Sequence, residues 1–422
     1  MANNEPGQKS QSVKSDLPEW ARTPLVHKIF TAARELGGEA RIVGGAVRNW
    51  LAIMPVADID MAINLPIEQV SAHCAKAGMR VIETGLKHGT ITLVDARGAI
   101  ELTQTRVDVE TDGRHAIVAH KADWAADAAR RDFTINAIYL DQAGVIFDPF
   151  DGQTDLAARR LRFVGDAAMR VQEDALRMLR YCRFFQSFSA DKVDPEAQAA
   201  LSAHGALSGQ LSGERVASEM RRIMRGDRLF EVVELMRITA LDEHALGVPL
   251  HNEILSPHNE ASGDETSDFG VLFRDMGKTT GWLAGLAVLM PVGSAEKLAT
   301  RLRVSRAESV DLKRLDKGLS DQEMAALNGP KWPRIAYYLG PLAVALYAVQ
   351  SLRNGTPVKA ARLMDLKGWT PPELPINGAD LLSHGVDNGP ALGQLLSEAE
   401  RRWVGADFAL DKAALLAWLI GN

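Results

Sequence analysis

Cysteine is scarce in this chain: Cys74 and Cys182 are the only two among 422 residues. Two cysteines cannot staple a disulfide framework, and such sparing use suits a reducing, cytoplasmic setting. Metal-type Cys/His spacing is missing, as is an HExxH helix, and the ten histidines are scattered, so the common zinc sites are excluded. The first residues, "MANNEPGQKSQSVKSD", have no apolar stretch and read as a disordered lead-in over residues 1–17, not as a secretion signal. Long apolar runs are lacking too. "IAYYLGPLAVALYAVQ" is short for a membrane span and is broken by Gly340-Pro341, so we read it as a buried helical hairpin and expect no membrane partner. There is no exact internal repeat. Overall positive charge is also absent: the net charge is −6, which argues against a uniformly polyanion-coating surface.

What is present is an ordinary globular composition, 46% hydrophobic and 24% charged, in a chain too long for one core; about two to four domains are expected. The average charge hides a local bias. "AARRLRFVGDAAMRVQEDALRMLRYCRFF" holds seven arginines against three acids, and "GERVASEMRRIMRGDR" adds five more arginines. Such helices fit either a polyanion-binding face or a solvated surface with internal ion pairs.

From about Arg41 to Asp148 the pattern is one of short β-type runs: "ARIVGG", "ADIDMAI", "GTITLVD", "AIELTQTRVDV" and "NAIYLD". "AVRNWLAI" and "IEQVSAHCAKAG" read as helices between them, so a small mixed sheet with helices packed on it is expected. "DPFDGQTDL" is a turn-rich exit. From roughly Leu156 onward helical periodicity runs to the end, interrupted by "HNEILSPHNEASGDETSDFG", "LNGPKWP" and "LKGWTPPELPINGAD".

Two aspartates stand one residue apart in "ADIDMAI". In a strand, residues i and i+2 share a face, so Asp58 and Asp60 project together while Ile59 and Met61 face a core. Two adjacent like charges repel. Either the pair sits on a solvated edge, or a divalent cation such as Mg²⁺, which takes hard oxygen ligands, rewards the arrangement. Just upstream, "IVGGAVRN" reads as strand, glycine turn and helix start. Gly44 and Gly45 let a ligand approach the backbone closely, the opening N–H groups favour an anion, and Arg48 is placed to reach it. A phosphate cradle beside an acidic pair points to a metal-bound nucleoside triphosphate. Glu101, on a strand that could neighbour the aspartates, is either a surface residue or a third carboxylate.

In order, "VGGAVRNWL…DIDMAI", "ELTQTR", "DGRHA", "ARRDFTINAIYLD", "DPFDG", "EDALRMLRYCRF" and "GERVASEM" resemble the class II nucleotidyltransferases, the tRNA CCA-adding enzymes and bacterial poly(A) polymerases, most closely the former. The resemblance runs from Arg41 to about Arg228 and is faint beyond. It implies an α+β protein: a nucleotidyltransferase head with a small mixed β-sheet, followed by an all-helical neck, body and tail. The head would span residues 18–150, the neck with a base-recognition helix 151–230, the body 231–330, and a tail able to contact tRNA 331–422. It also implies Mg²⁺ on Asp58 and Asp60, ribose recognition by Arg131, Asp132 and Asn136, base recognition by Glu173, Asp174 and Arg177, a neck brace of Glu214, Arg215 and Glu219, and a flexible loop over Asp108 to Asp123. Two departures stand out. Asn49 replaces the family's usual Asp, and "AIMPVA" replaces a Gly-Arg-like turn before the aspartates.

The implied reaction is template-independent addition of C, C and A to the 3′ end of tRNA from CTP and ATP, by two-metal in-line transfer to a ribose hydroxyl. The alternatives are a poly(A) polymerase, a CC-only or A-only enzyme, and an inactive RNA-binding protein. Without a template the protein must read the base. C and A both present an amine donor beside a ring-nitrogen acceptor, so a reader needs an acceptor next to a donor. Asp174 and Arg177, three apart on one helix, have that polarity; an ordinary intrahelical salt bridge is the competing account. Arg180 and Arg183 follow on the next turns and could hold phosphate or base, whereas Leu176, Leu179 and Phe184 read as core. Lys313, Arg314, Lys317, Lys359 and Arg362 are candidate RNA-backbone contacts. The oligomeric state is not legible.

Overall fold

The computed structural model describes residues 17–83, 85–105, 123–190, 192–251, 276 and 280–420. The expected lead-in, apart from Leu17, and the expected flexible loop, apart from Asp123, lie outside the described residues. The chain divides into two compact units, up to Gln210 and from Leu211.

The first unit is built on a seven-stranded mixed sheet of order β3-β4-β5-β2-β1-β6-β7. Its strands are β1 (Ala40–Val43), β2 (Ile59–Ile63), β3 (Arg80–Ile82), β4 (Thr90–Asp95), β5 (Gly98–Gln104), β6 (Tyr139–Leu140) and β7 (Ile146–Phe147). The period-2 alternation assigns the two faces. Ala40, Ile42, Met61, Ile63, Ile91, Leu93, Ile100, Leu102 and Leu140 enter one buried cluster. Helices α1 (Pro24–Glu35) and α3 (Ile67–Lys76) cover it. α1 is started by Thr23, whose hydroxyl accepts from the Val26 N–H, with Pro24 in the first turn. Ile67, Val70 and Cys74 recur at helical spacing on the buried side of α3.

The opposite sheet face is mixed. Val43, Ala62 and Tyr139 pack under α4 (Trp124–Ala129), while the alternate residues of β2 and β5 leave Asp60 and Glu101 exposed. Strands β1 and β2 are joined through α2 (Gly45–Leu51). Past the sheet lie α5 (Gly152–Ala157), α6 (Ala167–Glu173), α7 (Leu176–Phe188) and α8 (Pro195–His204). The turn-rich exit thus contains a short helix, because the Asp148 carboxylate accepts from the Gly152 and Gln153 N–H groups. β3 and β7, three and two residues long, carry too short an alternation to be read beforehand.

The second unit is helical throughout its described residues. Its central helix, Thr280–Leu289, is buried nearly all round, as a helix apolar on every side must be, and packs on Arg306–Lys317 and Ala343–Arg353. Capping boxes set three helix starts, Ser305 with Glu308, Ser320 with Glu323 and Asn377 with Asp380. The stretch Trp332–Arg353 is long and apolar enough to cross a membrane, but half of it is buried inside the fold. It is not the expected hairpin. Gly340, at φ 60°, ends the helix Trp332–Leu339, and a 3₁₀ turn leads into Ala343–Arg353. The first helix packs chiefly on Asp321–Asn328 and the second on Thr280–Leu289.

Candidate active site

Asp58 lies one residue before β2 and Asp60 within it, both exposed. The parallel β2–β5 ladder sets Asp60 directly beside Glu101, and the antiparallel β1–β2 ladder sets it opposite Val43, one residue before the diglycine turn. None of the three carboxylates makes a hydrogen bond or ion pair among the described residues. Partial desolvation on the sheet face raises the Asp60 carboxyl above its ordinary value; Glu101 and Asp58 push the same way, and Arg131 opposes them. Among the described residues no three His, Cys, Asp or Glu side chains close into a metal cage. Glu101 stands beside Asp60 on the neighbouring strand. An open pair of hard oxygen donors still fits Mg²⁺, which is commonly held by one or two carboxylates together with substrate phosphates.

The diglycine turn requires its first glycine. Gly44 has φ 74° and ψ −129°, a region in which a Cβ would be strained. A Cβ on Gly44 would lie 3.7 Å from Arg131 Nη1, and one on Gly45 3.7 Å from Arg48 Nη2. Two guanidinium groups therefore flank the turn. α2 is only seven residues long, so these side chains, more than a helix terminus, make the locality attractive to an anion.

Both arginines are held firmly. Arg131 Nε donates to Tyr139 Oη at 2.9 Å and Nη2 to Asp127 at 3.2 Å, while the Tyr139 hydroxyl donates to Asp127 at 2.6 Å. Burial pushes the Tyr139 phenol well up, so it remains a donor. Tyr139 in turn packs edge-on against Trp124 and Phe147. Arg48 is buried. Its Nε and Nη2 donate to Asn49 Oδ1 at 3.1 and 2.8 Å, Nη1 donates to Asn136 Oδ1 at 2.5 Å, and its guanidinium lies over Phe184 and Phe188. Burial, then Arg183 and Arg180, lower its pKa to about 10 against the pull of Asp132.

Asp132 connects the sheet unit's loop to α7. It accepts from Asn136 Nδ2, from the Phe133 N–H, and from Arg180 Nε at 2.7 Å. Desolvation resists its ionisation, but Arg180 and these hydrogen bonds outweigh burial and hold the carboxyl below its ordinary value. Arg48, Asn136, Asp132 and Arg180 thus form one continuous polar network beside the glycine turn, and Arg131, Tyr139 and Asp127 form a second.

The placement of Asp174 and Arg177 differs from the expectation of one shared helix. Asp174 is extended, at φ −148° and ψ 102°, and ends α6; its carboxylate accepts from the Leu176 N–H at the start of α7. Aspartate competes with the backbone in this way at helix boundaries. Arg177 ion-pairs with Glu173 at 2.7 Å and donates to the Arg170 and Arg130 carbonyls. The pair therefore spans a helix break.

Many of the arginines serve the fold. Arg160 pairs with Asp194, Arg162 with Asp155, Arg170 with Glu173, Arg221 with Glu308 and Arg228 with Glu231. Of the expected neck brace, all on the helix Gly213–Ile223, Glu214 pairs with Arg303 and buried Glu219 faces Arg222. Lys313 pairs with Glu296, Arg314 with Glu323 and Arg362 with Asp365, whereas Lys317 and Lys359 are exposed. Leu179 and Phe184 are buried and Leu176 is half-buried. Sequence reasoning missed Tyr139, Asp127 and Phe188. The tyrosine in "NAIYLD", one strand position from a buried leucine, was the available signal.

Residues 40–162 match the family model for the poly A polymerase head domain. A relative from Danio rerio, CCA tRNA nucleotidyltransferase 1, mitochondrial, is 32% identical over 396 residues, covering 90% of this chain and 87% of the relative. A CCA-adding enzyme from Limosilactobacillus fermentum is 28% identical, covering 92% and 94%. Among solved structures, the Bacillus stearothermophilus CCA-adding enzyme in complex with CTP superimposes with a TM-score of 0.70 at 25% identity, covering 94% of this chain and 98% of that one. Identity at this level along nearly the whole length, together with the paired aspartates and the glycine turn, places the chain in the CCA tRNA nucleotidyltransferase family.

Proposed function

We propose that the chain adds C, C and A to the 3′ end of tRNA, without a template, from CTP and ATP. The observation that carries this reading is the open Asp58–Asp60 pair, with no ion-pair partner among the described residues, one strand from a glycine turn flanked by Arg48 and Arg131. Asp58 and Asp60 would hold magnesium, which when bound makes the attacking ribose hydroxyl more acidic and neutralises charge on the departing pyrophosphate. The turn backbone, Arg48 and Arg131 would orient the triphosphate. Asp132 and Asn136 offer an acceptor and a donor to ribose hydroxyls, with Arg180 fixing the carboxylate. Asp174 and Arg177 would read the amine and ring nitrogen shared by C and A. Glu101 would add negative potential beside the metal aspartates.

The division into head (18–150), neck (151–230), body (231–330) and tail (331–422) is part of the same proposal, with the exposed lysines of the second unit as candidate tRNA contacts. Both cysteines are free and buried, which suits a reducing compartment such as the cytoplasm.

The test uses tRNAs lacking CCA, lacking CA, lacking A, or complete, each with labelled CTP or ATP and magnesium. Two C residues and one A on the shortest substrate, and nothing on the complete one, is the expected result. Long A tracts would reassign the chain as a poly(A) polymerase, C addition alone as a CC-only enzyme, and A addition alone as an A-only enzyme.

A further inference from the structure

Arg41 faces the same side of the sheet as the candidate site. On β1 it stands two residues before Val43 and opposite Ala62, itself two residues beyond Asp60, so the period of the strands puts all four on one face. Its side chain is largely buried, yet Nε and Nη1 have no hydrogen-bond partner among the described residues. Burying a charged group in that state is costly unless something compensates. Two aromatic rings do so. The guanidinium lies over Trp124 at 4.3 Å and over Phe147 at 4.9 Å, and such contacts strengthen when desolvated. At the rim a single oxygen, Glu39 Oε2, accepts from Arg41 Nη2 at 3.3 Å and from Trp124 Nε1 at 3.2 Å. Glutamate, arginine and indole thus close a triangle that fixes the rotation of the indole as well as its position. An aliphatic side chain could fill the space, but it would offer no cation to the rings and no bond to Glu39.

Trp124 is the first residue of α4, and α4 has only six residues, too few to keep its place without tertiary anchors. Two arginines of the candidate nucleotide site lean on this helix. Asp127, in its middle, holds Arg131 Nη2 at 3.2 Å. At its end the Arg130 carbonyl accepts from Arg177 Nη2 at 2.8 Å, and the Ala129 carbonyl accepts from Arg170 Nη1 at 2.8 Å. Arg170 in turn offers its own carbonyl to Arg177 Nη1. We propose that Arg41 is a positioning residue for the incoming nucleotide: by clamping Trp124 against the sheet it seats α4, and through α4 it sets Arg131 toward the triphosphate and Arg177 toward the base. Arg41 acts through the helix and not on the substrate. The inference rests on the nucleotidyl-transfer reading.

The experiment compares wild type, Arg41→Met and Arg41→Lys, each assayed well below its own melting temperature. Affinity for CTP and for CMP is measured with magnesium and no tRNA, and incorporation of CTP against UTP is followed on tRNA lacking CCA. Arg41→Met removes the charge and the plane at similar length. It should weaken CTP binding roughly ten- to a hundredfold, the scale of an ångström's misplacement, weaken CMP binding less, and relax the preference for CTP over UTP. Arg41→Lys keeps the charge without the plane and should fall between Arg41→Met and wild type. The decisive readout is coupling. In an Arg131→Ala background Arg41→Met should cost little further CTP affinity, and in an Arg177→Ala background little further selectivity, because the side chain it positions is gone. An unchanged CTP-to-CMP affinity ratio and unchanged selectivity in both Arg41 variants, or losses that add in full in both backgrounds, would overturn the inference while leaving the reaction standing. A wild-type chain that binds no CTP and extends no tRNA would overturn both.

Discussion

Asp132→Asn tests the polar network with almost no change of shape. The carboxylate is buried, pairs with Arg180, and accepts from Asn136 and the Phe133 N–H. Removing one partner of a fully buried pair costs about 3–5 kcal/mol. Arg180 retains 31% of its side-chain exposure, so water rescues part of its charge and about 2–3 kcal/mol is the better expectation. For a unit of this size that lowers the melting temperature by roughly 5–10 °C. The pH dependence has a definite sign. The folded-state carboxyl titrates below its ordinary value, so its stabilisation is complete above the unfolded value of about 3.9 and is lost as pH falls through the lower folded value. Urea melts of wild type and variant should therefore differ by a constant amount from pH 8 to about 5, with the gap narrowing only below about pH 4. A variant as stable as wild type at pH 7.5, or a gap that closes between pH 7 and 5, would refute the assignment of Asp132 as the charged centre of this network.

Asp58→Ala and Asp60→Ala should abolish nucleotide incorporation while shifting stability by no more than about 0.5 kcal/mol, since both carboxylates are exposed and unbonded; wild-type-like incorporation by either variant removes it from the metal site. Tyr139→Phe deletes one hydrogen bond to Arg131 and one to Asp127, and should cost about 1–3 kcal/mol with a matching loss of CTP affinity; unchanged affinity would mean that Arg131 does not depend on its phenol. Asp174→Ala and Arg177→Ala should relax the preference for CTP and ATP over UTP and GTP by roughly ten- to a hundredfold, and selectivity retained in both would refute base reading. Affinity for tRNA should fall as salt rises from about 50 to 200 mM, and a flat response would leave the arginines with structural duties alone.

The sequence made the site legible where a local period decides the outcome. The spacing of Asp58 and Asp60, and of Ile59 and Met61, needs only the two-residue repeat of a strand, and Gly44 needs only a backbone no other residue adopts comfortably. Long-range partners were harder to read. Nothing local says that Glu101 pairs with Asp60 in a parallel ladder, or that Tyr139 reaches Arg131 and Asp127. Asp174 was misplaced for a specific reason: helical periodicity continues through it, yet its carboxylate takes the Leu176 N–H and breaks the helix. The arginine-rich helices fitted either a polyanion surface or an ion-paired one, and the fold answers several of those charges with acids, some from distant segments, such as Asp194 and Glu308.

The β2–β5 ladder is the one parallel pairing among the described strands. A parallel neighbour cannot be reached through a tight turn, so α3, β3 and β4 must all be laid down before Glu101 can arrive beside Asp60. During synthesis the two aspartates therefore emerge well ahead of the residue that will crowd them. The repulsive acidic cluster is assembled by a non-local closure, whose loop entropy is spent before the pairing can reward it. A divalent ion or a metal-bound nucleotide that engages only the closed sheet would then act as a ligand for completed folding, drawing nascent chains past that closure by mass action.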